Sequence, residues 1–324
     1  LALEEIADKV EAAKARFGAE RIAAVVGTST SGIDAGEEAV KALVETGAWP
    51  AGFHYRKQEL SGLSAFVARF FGLCGPVYTV ATACSSSAKV FASARRLVHA
   101  GIVDAVVVGG ADTLCRMTLE GFASLELVSH GRCNPFSVHR DGITIGEGAA
   151  AFLIGKDEAE IELLGVGETS DAYHATAPEP SGKWAAAAMA AALSEAGLSP
   201  ADIAYVNLHG TGTALNDAME AHAVASLFGD KVPASSTKGM TGHMLGATGA
   251  VEAAFLCLAL DPAANPGRRI PPHVWDGAAD PALPPLLFAT HDMRLPDTER
   301  LAMLSNSFGF GGSNAALVLG RGHD

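Results

Sequence analysis

An α/β fold is predicted by three observations in this chain. Short apolar runs such as residues 23–26 (Ala-Ala-Val-Val) and 104–109 (Asp-Ala-Val-Val-Val-Gly) read as strands buried on both faces. Ala-rich helical stretches alternate with them, for example residues 184–193, which stop near Gly197. Polar, glycine-rich bends follow the strands, at the strand ends where α/β proteins place their chemistry.

Taken in order, residues 1–10 open in a helical pattern and 23–26 form the first strand. Residues 76–88 give a β-branched strand, a tight bend of small residues and a helix that runs through Val98 to stop at Gly101. That bend holds Cys84 at a helix N-terminus, where unpaired N–H groups and the macrodipole favour the thiolate. A thiol so placed is the nucleophilic form of cysteine. The strand at 206–208 leads into a bend tipped by His209 and followed by Thr211 and Thr213. A third bend carries Lys238 and His243 just before a small-residue helix. A fourth, residues 304–315, is a glycine-rich turn between two apolar stretches. One histidine on such a loop is usually structural. Two of them with a lysine and a cysteine, all at strand ends, describe a site.

Composition narrows the class. The 324 residues are 49% apolar and 18% charged, with charge below the usual quarter. That length supports one large core or two medium ones. No apolar stretch approaches a membrane span, and no signal-peptide pattern opens the chain. The five cysteines are an odd number without metal-type pairing, which reads as reduced thiols in a cytoplasmic enzyme. A net charge of −13 argues against nucleic acid as a partner.

The segment around Cys84, His209-Gly-Thr-Gly-Thr213, Lys238-Gly-Met-Thr-Gly-His243 and Asn306-Ser-Phe-Gly-Phe-Gly-Gly312 together resemble the β-ketoacyl-acyl-carrier-protein synthases. Arg140-Asp-Gly142, Gly146-Glu-Gly148 and residues 170–176 match as well. His243 resembles the elongating branch, where the initiating branch carries Asn. Chain-length-factor relatives lack the nucleophile that is present here as Cys84.

The resemblance implies a thiolase-like, five-layered α-β-α-β-α sandwich of two similar halves. Residues 1–155 would carry the nucleophile, and residues 156–324 the two histidines and the lysine. It also implies that the family's first strand-helix segment is not among these residues, and that loops such as 156–161 are short. The implied activity is decarboxylative condensation of a Cys84-bound acyl group with malonyl-carrier, in fatty-acid, polyketide or aryl-polyene synthesis. No metal or redox cofactor is implied, since the substrates ride on the phosphopantetheine of an acyl carrier protein. The implied assembly is a homodimer or a ketosynthase heterodimer.

Residue by residue, His209 and His243 are candidates to donate hydrogen bonds to the malonyl thioester carbonyl. The N–H groups of Cys84 and Phe310 would hold the acyl thioester oxygen, with glycines 309, 311 and 312 allowing close approach and positive φ. Phe310 would also gate the acyl pocket, unless it is a core aromatic. Lys238 needs an acidic partner if buried; Glu252 is implied by the family, and Glu220 is the alternative. Asp217 and Glu220 start the helix after His209. Thr211, Thr213 and Thr176 fit pantetheine contacts, although threonines after a bend are also ordinary turn formers. Thr30, in Gly27-Thr-Ser-Thr-Ser-Gly32, falls where the family lines its acyl pocket. Arg56-Lys57 and Arg95-Arg96 are candidate basic patches for an acidic carrier. Residues 265–277 depart from the general fatty-acid pattern and resemble the condensing enzymes of aryl-polyene clusters.

Three other readings compete with this one. A cysteine hydrolase needs one base and an orienting Asn or Asp, not two histidines and a lysine on separate motifs. A thiolase would add a second catalytic cysteine near the last turn, which here has none. A non-catalytic or partner-dependent subunit of a heterodimer is the third.

Overall fold

The computed structural model describes residues 1–322. Its strands form two sheets. The first has the order β2 (Val77–Val80), β1 (Ile22–Gly27), β3 (Ala105–Asp112), β4 (Gly148–Gly155). The second has the order β5 (Glu162–Ser170), β10 (Ser313–Arg321), β9 (Leu301–Gly309), β6 (Ile203–Asn207), β7 (Pro233–Ser235), β8 (Leu287–Phe288). Both contain the same motif. In the first, β2, β1 and β3 are parallel and β4 is antiparallel to β3. In the second, β7, β6 and β9 are parallel and β10 is antiparallel to β9.

The strand β1 shows why its residues must be apolar on both faces. Ala23 and Val25 face a central core, while Ile22, Ala24 and Val26 face an outer one. The central core is filled by α4 (Ser86–His99) and α9 (Thr248–Leu260), through Val90, Phe91, Ala94, Ala253, Leu256 and Leu260. From the second sheet, Tyr205, Met303 and Leu317 close it. Outside the first sheet lie α1 (Ala7–Phe17) and α3 (Ser61–Phe71); outside the second lie α6 (Lys183–Ala196) and α7 (Ala214–Phe228). The result is a five-layered thiolase-like sandwich with α4 and α9 as its middle layer.

Helix ends follow ordinary stop chemistry: α6 ends on Gly197 in the left-handed region (φ 67°), where a Cβ would be strained. The small residues of α4 and α9 allow these helices to pack closely between two sheets. A Cβ on Gly249 would meet the backbone of Ala88 at 2.7 Å. The remaining helices are α2 (Ile33–Thr46), α5 (Arg116–Ser124) and the single turn α8 (Lys238–Thr241). No described helix is long and apolar enough to cross a membrane.

Candidate active site

The site lies where the parallel strands of both sheets end and the two middle-layer helices begin. The strand β2 runs into a bend in which Ala83 takes φ +52°, an uncommon conformation for a residue with a side chain. Ser86 braces that bend, donating from Oγ to the Ala83 carbonyl (2.5 Å) and accepting from Thr82 N–H (2.9 Å). Cys84 is thereby held just ahead of α4. His243 is held in the same way ahead of α9, and its Nδ1 lies 3.1 Å from Thr248 Oγ1 in the first turn of that helix.

The consequence is a contact between the two helix entries. His243 Nε2 lies 3.0 Å from Cys84 Sγ. His209 arrives from the end of β6, its ring edge-on to that of His243 with centroids 5.2 Å apart. Cys84, His209 and His243 each place a nitrogen or sulfur within 4.8 Å of the others, and all three are buried. Beside them Lys238 Nζ donates to Glu252 Oε1 at 2.6 Å, with neither side chain exposed.

The turn after β9 completes the site. Gly309 packs so closely that a Cβ there would meet the Thr82 carbonyl oxygen at 2.8 Å and the Cys84 nitrogen at 3.2 Å. Gly311 and Gly312 then take φ +79° and +72°. This path aims the backbone N–H of Phe310 at the Cys84 sulfur, joining the N–H of Cys84 itself. A cavity of about 150 Å³ leads to these groups, with Phe122, Ile143, Leu215 and Phe308 in its wall.

Electrostatics follow from burial. Desolvation pushes the Cys84 thiol up to about 11, while the Lys238 charge and the N–H groups of Phe310 and Cys84 oppose the rise. Desolvation, with Lys238 adding to it, holds His209 and His243 well below the ordinary imidazole value. Both rings are therefore neutral near pH 7. Two buried carboxylates hold the His209 bend: Glu220 accepts from the N–H groups of His209 and Gly210, each at 2.7 Å. Asp217 accepts from those of Thr211 (3.1 Å) and Gly212 (3.2 Å). Burial raises these carboxyls to about 7 and about 6 respectively.

Family models of the β-ketoacyl synthase N-terminal and C-terminal domains match residues 1–159 and 160–269. The chain belongs to the β-ketoacyl synthase family. Among its relatives, a 3-oxoacyl-[acyl-carrier-protein] synthase 2 of Staphylococcus aureus is 33% identical, over 93% of this chain and 77% of its own length. The protein of that name from Rhizobium meliloti is 39% identical over 77% of this chain and 62% of its own length. Among solved structures, the ketosynthase ApeO of Xenorhabdus doucetiae, in complex with its chain length factor ApeC, is 46% identical with a TM-score of 0.91. That match covers 99% of this chain and 79% of ApeO. This ketosynthase is a condensing enzyme of the acyltransferase class.

The structure gathers Cys84, His209, His243 and Lys238 at one point and places Thr176, Thr211, Thr213 and Phe310 around the cavity leading to it. Phe310 is half-buried, its ring 5.6 Å from that of Phe122 in the cavity wall, and so is not a core aromatic. Lys238 pairs with Glu252, the partner the resemblance implies, while the alternative, Glu220, is occupied by backbone N–H groups and by Asn306 Nδ2 (3.1 Å). Other expectations need correction. The helix terminus does not by itself favour a thiolate at Cys84, since burial outweighs it. The N–H and hydroxyl of Thr30 both donate to Asp112 at 2.8 Å, and Thr30 is not in the wall of the cavity that Thr176, Thr211 and Thr213 line. Finally, Arg95 and Arg96 are not free for a carrier. Arg95 binds Glu195 (3.0 Å) and Arg96 pairs with Glu168, which fastens α4 to the second half.

Several contributors carried no signal in the chain. Asp112 also accepts from Ala247 N–H (3.0 Å), tying the bend after β1 to the loop that follows His243. Asp171 accepts from Asn314 Nδ2 (2.6 Å) and Glu179 N–H (3.0 Å) at the cavity wall. Thr248 did leave a trace: a Thr five residues after a motif histidine, at the start of a helix.

Proposed function

We propose that Cys84 accepts an acyl group from a carrier-protein pantetheine and that the site then condenses it with malonyl-carrier. The observation that carries this reading is the 3.0 Å contact between Cys84 Sγ and His243 Nε2, with His209 and the Lys238–Glu252 pair packed behind it. In the loading step the thiol proton passes to His243 as sulfur attacks the acyl carbon. The carbon–sulfur bond to the carrier breaks, and the proton returns to the departing carrier thiol. The N–H groups of Cys84 and Phe310 hold the oxyanion.

In the second step the malonyl carbon–carbon bond breaks and its electron pair moves into the thioester as an enolate. His209 and His243 donate to the enolate oxygen as neutral imidazoles, so they stabilise charge without first trapping the carboxylate as an ion pair. Carbon dioxide leaves, the carbanion attacks the Cys84 thioester, the carbon–sulfur bond to Cys84 breaks, and the released thiolate takes up a proton from solvent. Burial, with the Lys238 charge adding to it, keeps the two rings neutral. No metal or redox group enters these bond changes. Thr176, Thr211 and Thr213 bind the pantetheine arm. Five unpaired cysteines fit a reducing, cytoplasmic setting. The segment 265–277 favours conjugated aryl-polyene acyl chains among the possible donors.

A second reading concerns assembly. ApeO, 46% identical, was solved with a chain length factor, and the sheet-edge strand β2 here exposes Val77 and Tyr78. These favour a ketosynthase-like partner, either a second copy or a chain length factor. The test is to incubate the protein with acyl-carrier donors, with and without a chain length factor, and read its intact mass. An acyl adduct absent from Cys84→Ala supports the reading. No adduct in either mixture overturns it.

A further inference from the structure

The segment 265–277 contains one buried polar side chain that none of these steps uses. His273 is buried on the face of Phe288, the rings 4.4 Å apart and nearly parallel, with Trp275 and Phe136 around it. Its two nitrogens join two loops that lie 101 positions apart in the chain (135 and 236). The Ser236 N–H donates to Nδ1 at 3.1 Å. With Nδ1 accepting, the ring proton sits on Nε2, which lies 3.1 Å from the Pro135 carbonyl and donates to it. Burial holds this imidazole down at about 4, so it keeps that arrangement at neutral pH.

Both loops lead into the active site. Ser236 Oγ donates to the Gly210 carbonyl (2.6 Å), next to His209, and accepts from Lys238 N–H (3.2 Å). On the other side, Phe136 N–H donates to Asp217 (2.7 Å), which holds the Thr211 and Gly212 amides. The same segment touches the lysine turn again: a Cβ on Gly239 would meet the Val274 carbonyl oxygen at 2.3 Å. His273 therefore stands behind both ends of the His209 bend and behind the start of α8.

We propose that His273 is a positioning residue for the decarboxylating half of the reaction, clamping Ser236 to Pro135 so that Lys238 and His209 are fixed relative to Cys84. This rests on the condensing reading given above. It predicts unequal effects on the two half-reactions. Loading depends on the Cys84–His243 pair, which two other loops hold, whereas decarboxylation depends on His209 and Lys238.

The test uses His273→Phe, which keeps the stack on Phe288 but neither hydrogen bond, and His273→Asn, whose oxygen can stand where Nδ1 accepts from Ser236. Carbon dioxide release from malonyl-carrier and acyl loading of Cys84 are measured for each. Expected is a loss of about tenfold to hundredfold in release for His273→Phe, with loading within about threefold. His273→Asn recovers most of the release. The proposal is overturned if His273→Phe releases carbon dioxide like wild type, if both half-reactions fall together, or if Asn does no better than Phe. A wild-type protein that loads no acyl group and releases no carbon dioxide would instead sink the condensing reading itself.

Discussion

Lys238 Nζ and Glu252 Oε1 lie 2.6 Å apart with no exposed surface on either side chain, directly behind two neutral histidines. Removing one partner leaves an uncompensated charge in the interior. Glu252→Ala is therefore expected to lower unfolding free energy by ~3–5 kcal/mol. The double variant Lys238→Met, Glu252→Leu should recover most of that stability while remaining inactive. Denaturant titration checks the first statement and carbon dioxide release the second.

Both site imidazoles are held below the ordinary value of 6.5, first by burial and then by Lys238. For a base with a lowered folded-state value, the stability tied to its neutral form is complete above the unfolded value. It is lost as pH falls through the folded one. The two imidazoles should thus add no inflection to decarboxylation or stability between about pH 6.5 and 8; a change near pH 7 belongs to Glu220, whose carboxyl burial raises to about 7. Lys238→Met removes one cause of the lowering, so the acid limb of any residual carbon dioxide release should move to higher pH. An unchanged limb would show that burial alone sets it.

The Cys84 thiol is raised to about 11, with desolvation the main cause. For an acid raised in the folded state, the associated stability is full below its unfolded value of 9.0 and declines as pH rises toward about 11. Alkylation of Cys84 by iodoacetamide should accordingly still be accelerating above pH 9.0, where an ordinary thiol levels off. His243→Ala should slow acyl loading at neutral pH by about 10²–10⁴-fold. Mass-resolved alkylation and loading time courses read both.

Gly309→Ala puts a methyl group against the Thr82 carbonyl and the Cys84 nitrogen. The turn must then retreat, taking the Phe310 N–H away from the oxyanion position. Loading should fall by about 10²–10³-fold, with little change in the Kd for unloaded carrier. Isothermal titration and loading kinetics separate the two quantities.

Thr30→Val removes the hydroxyl that donates to Asp112 and leaves the cavity beside Cys84 untouched. A loss of about 1–2 kcal/mol of stability is expected, with the ranking of acyl donors by length unchanged. A shift of preference toward shorter donors would return Thr30 to the acyl pocket.

What could be read in the chain was whatever is local. Cys84, His209, Lys238 and His243 each follow a strand and sit in a bend of small or polar residues, so pattern alone singles them out. The unbroken apolar run of β1 and the small residues of α9 likewise announce a strand and a helix packed on both sides. The bond from Thr30 to Asp112 leaves no trace in the chain because the two lie 82 positions apart, with Asp112 at the end of another strand. Glu220 and Glu252 were both plausible partners for Lys238 until the fold turned Glu220 toward backbone amides. The protonation state of Cys84 is hidden in the sequence for a related reason. A helix terminus is visible in a sequence, whereas complete desolvation by two opposed sheets is not.

The most direct measurement is a single turnover of protein already acylated on Cys84, mixed with carboxyl-labelled malonyl-carrier. The account predicts that labelled carbon dioxide appears at the rate the Cys84 adduct disappears, one for one, with the acyl chain recovered on the carrier two carbons longer. Release of label while the adduct persists, or loss of the adduct as a free acid, would contradict it.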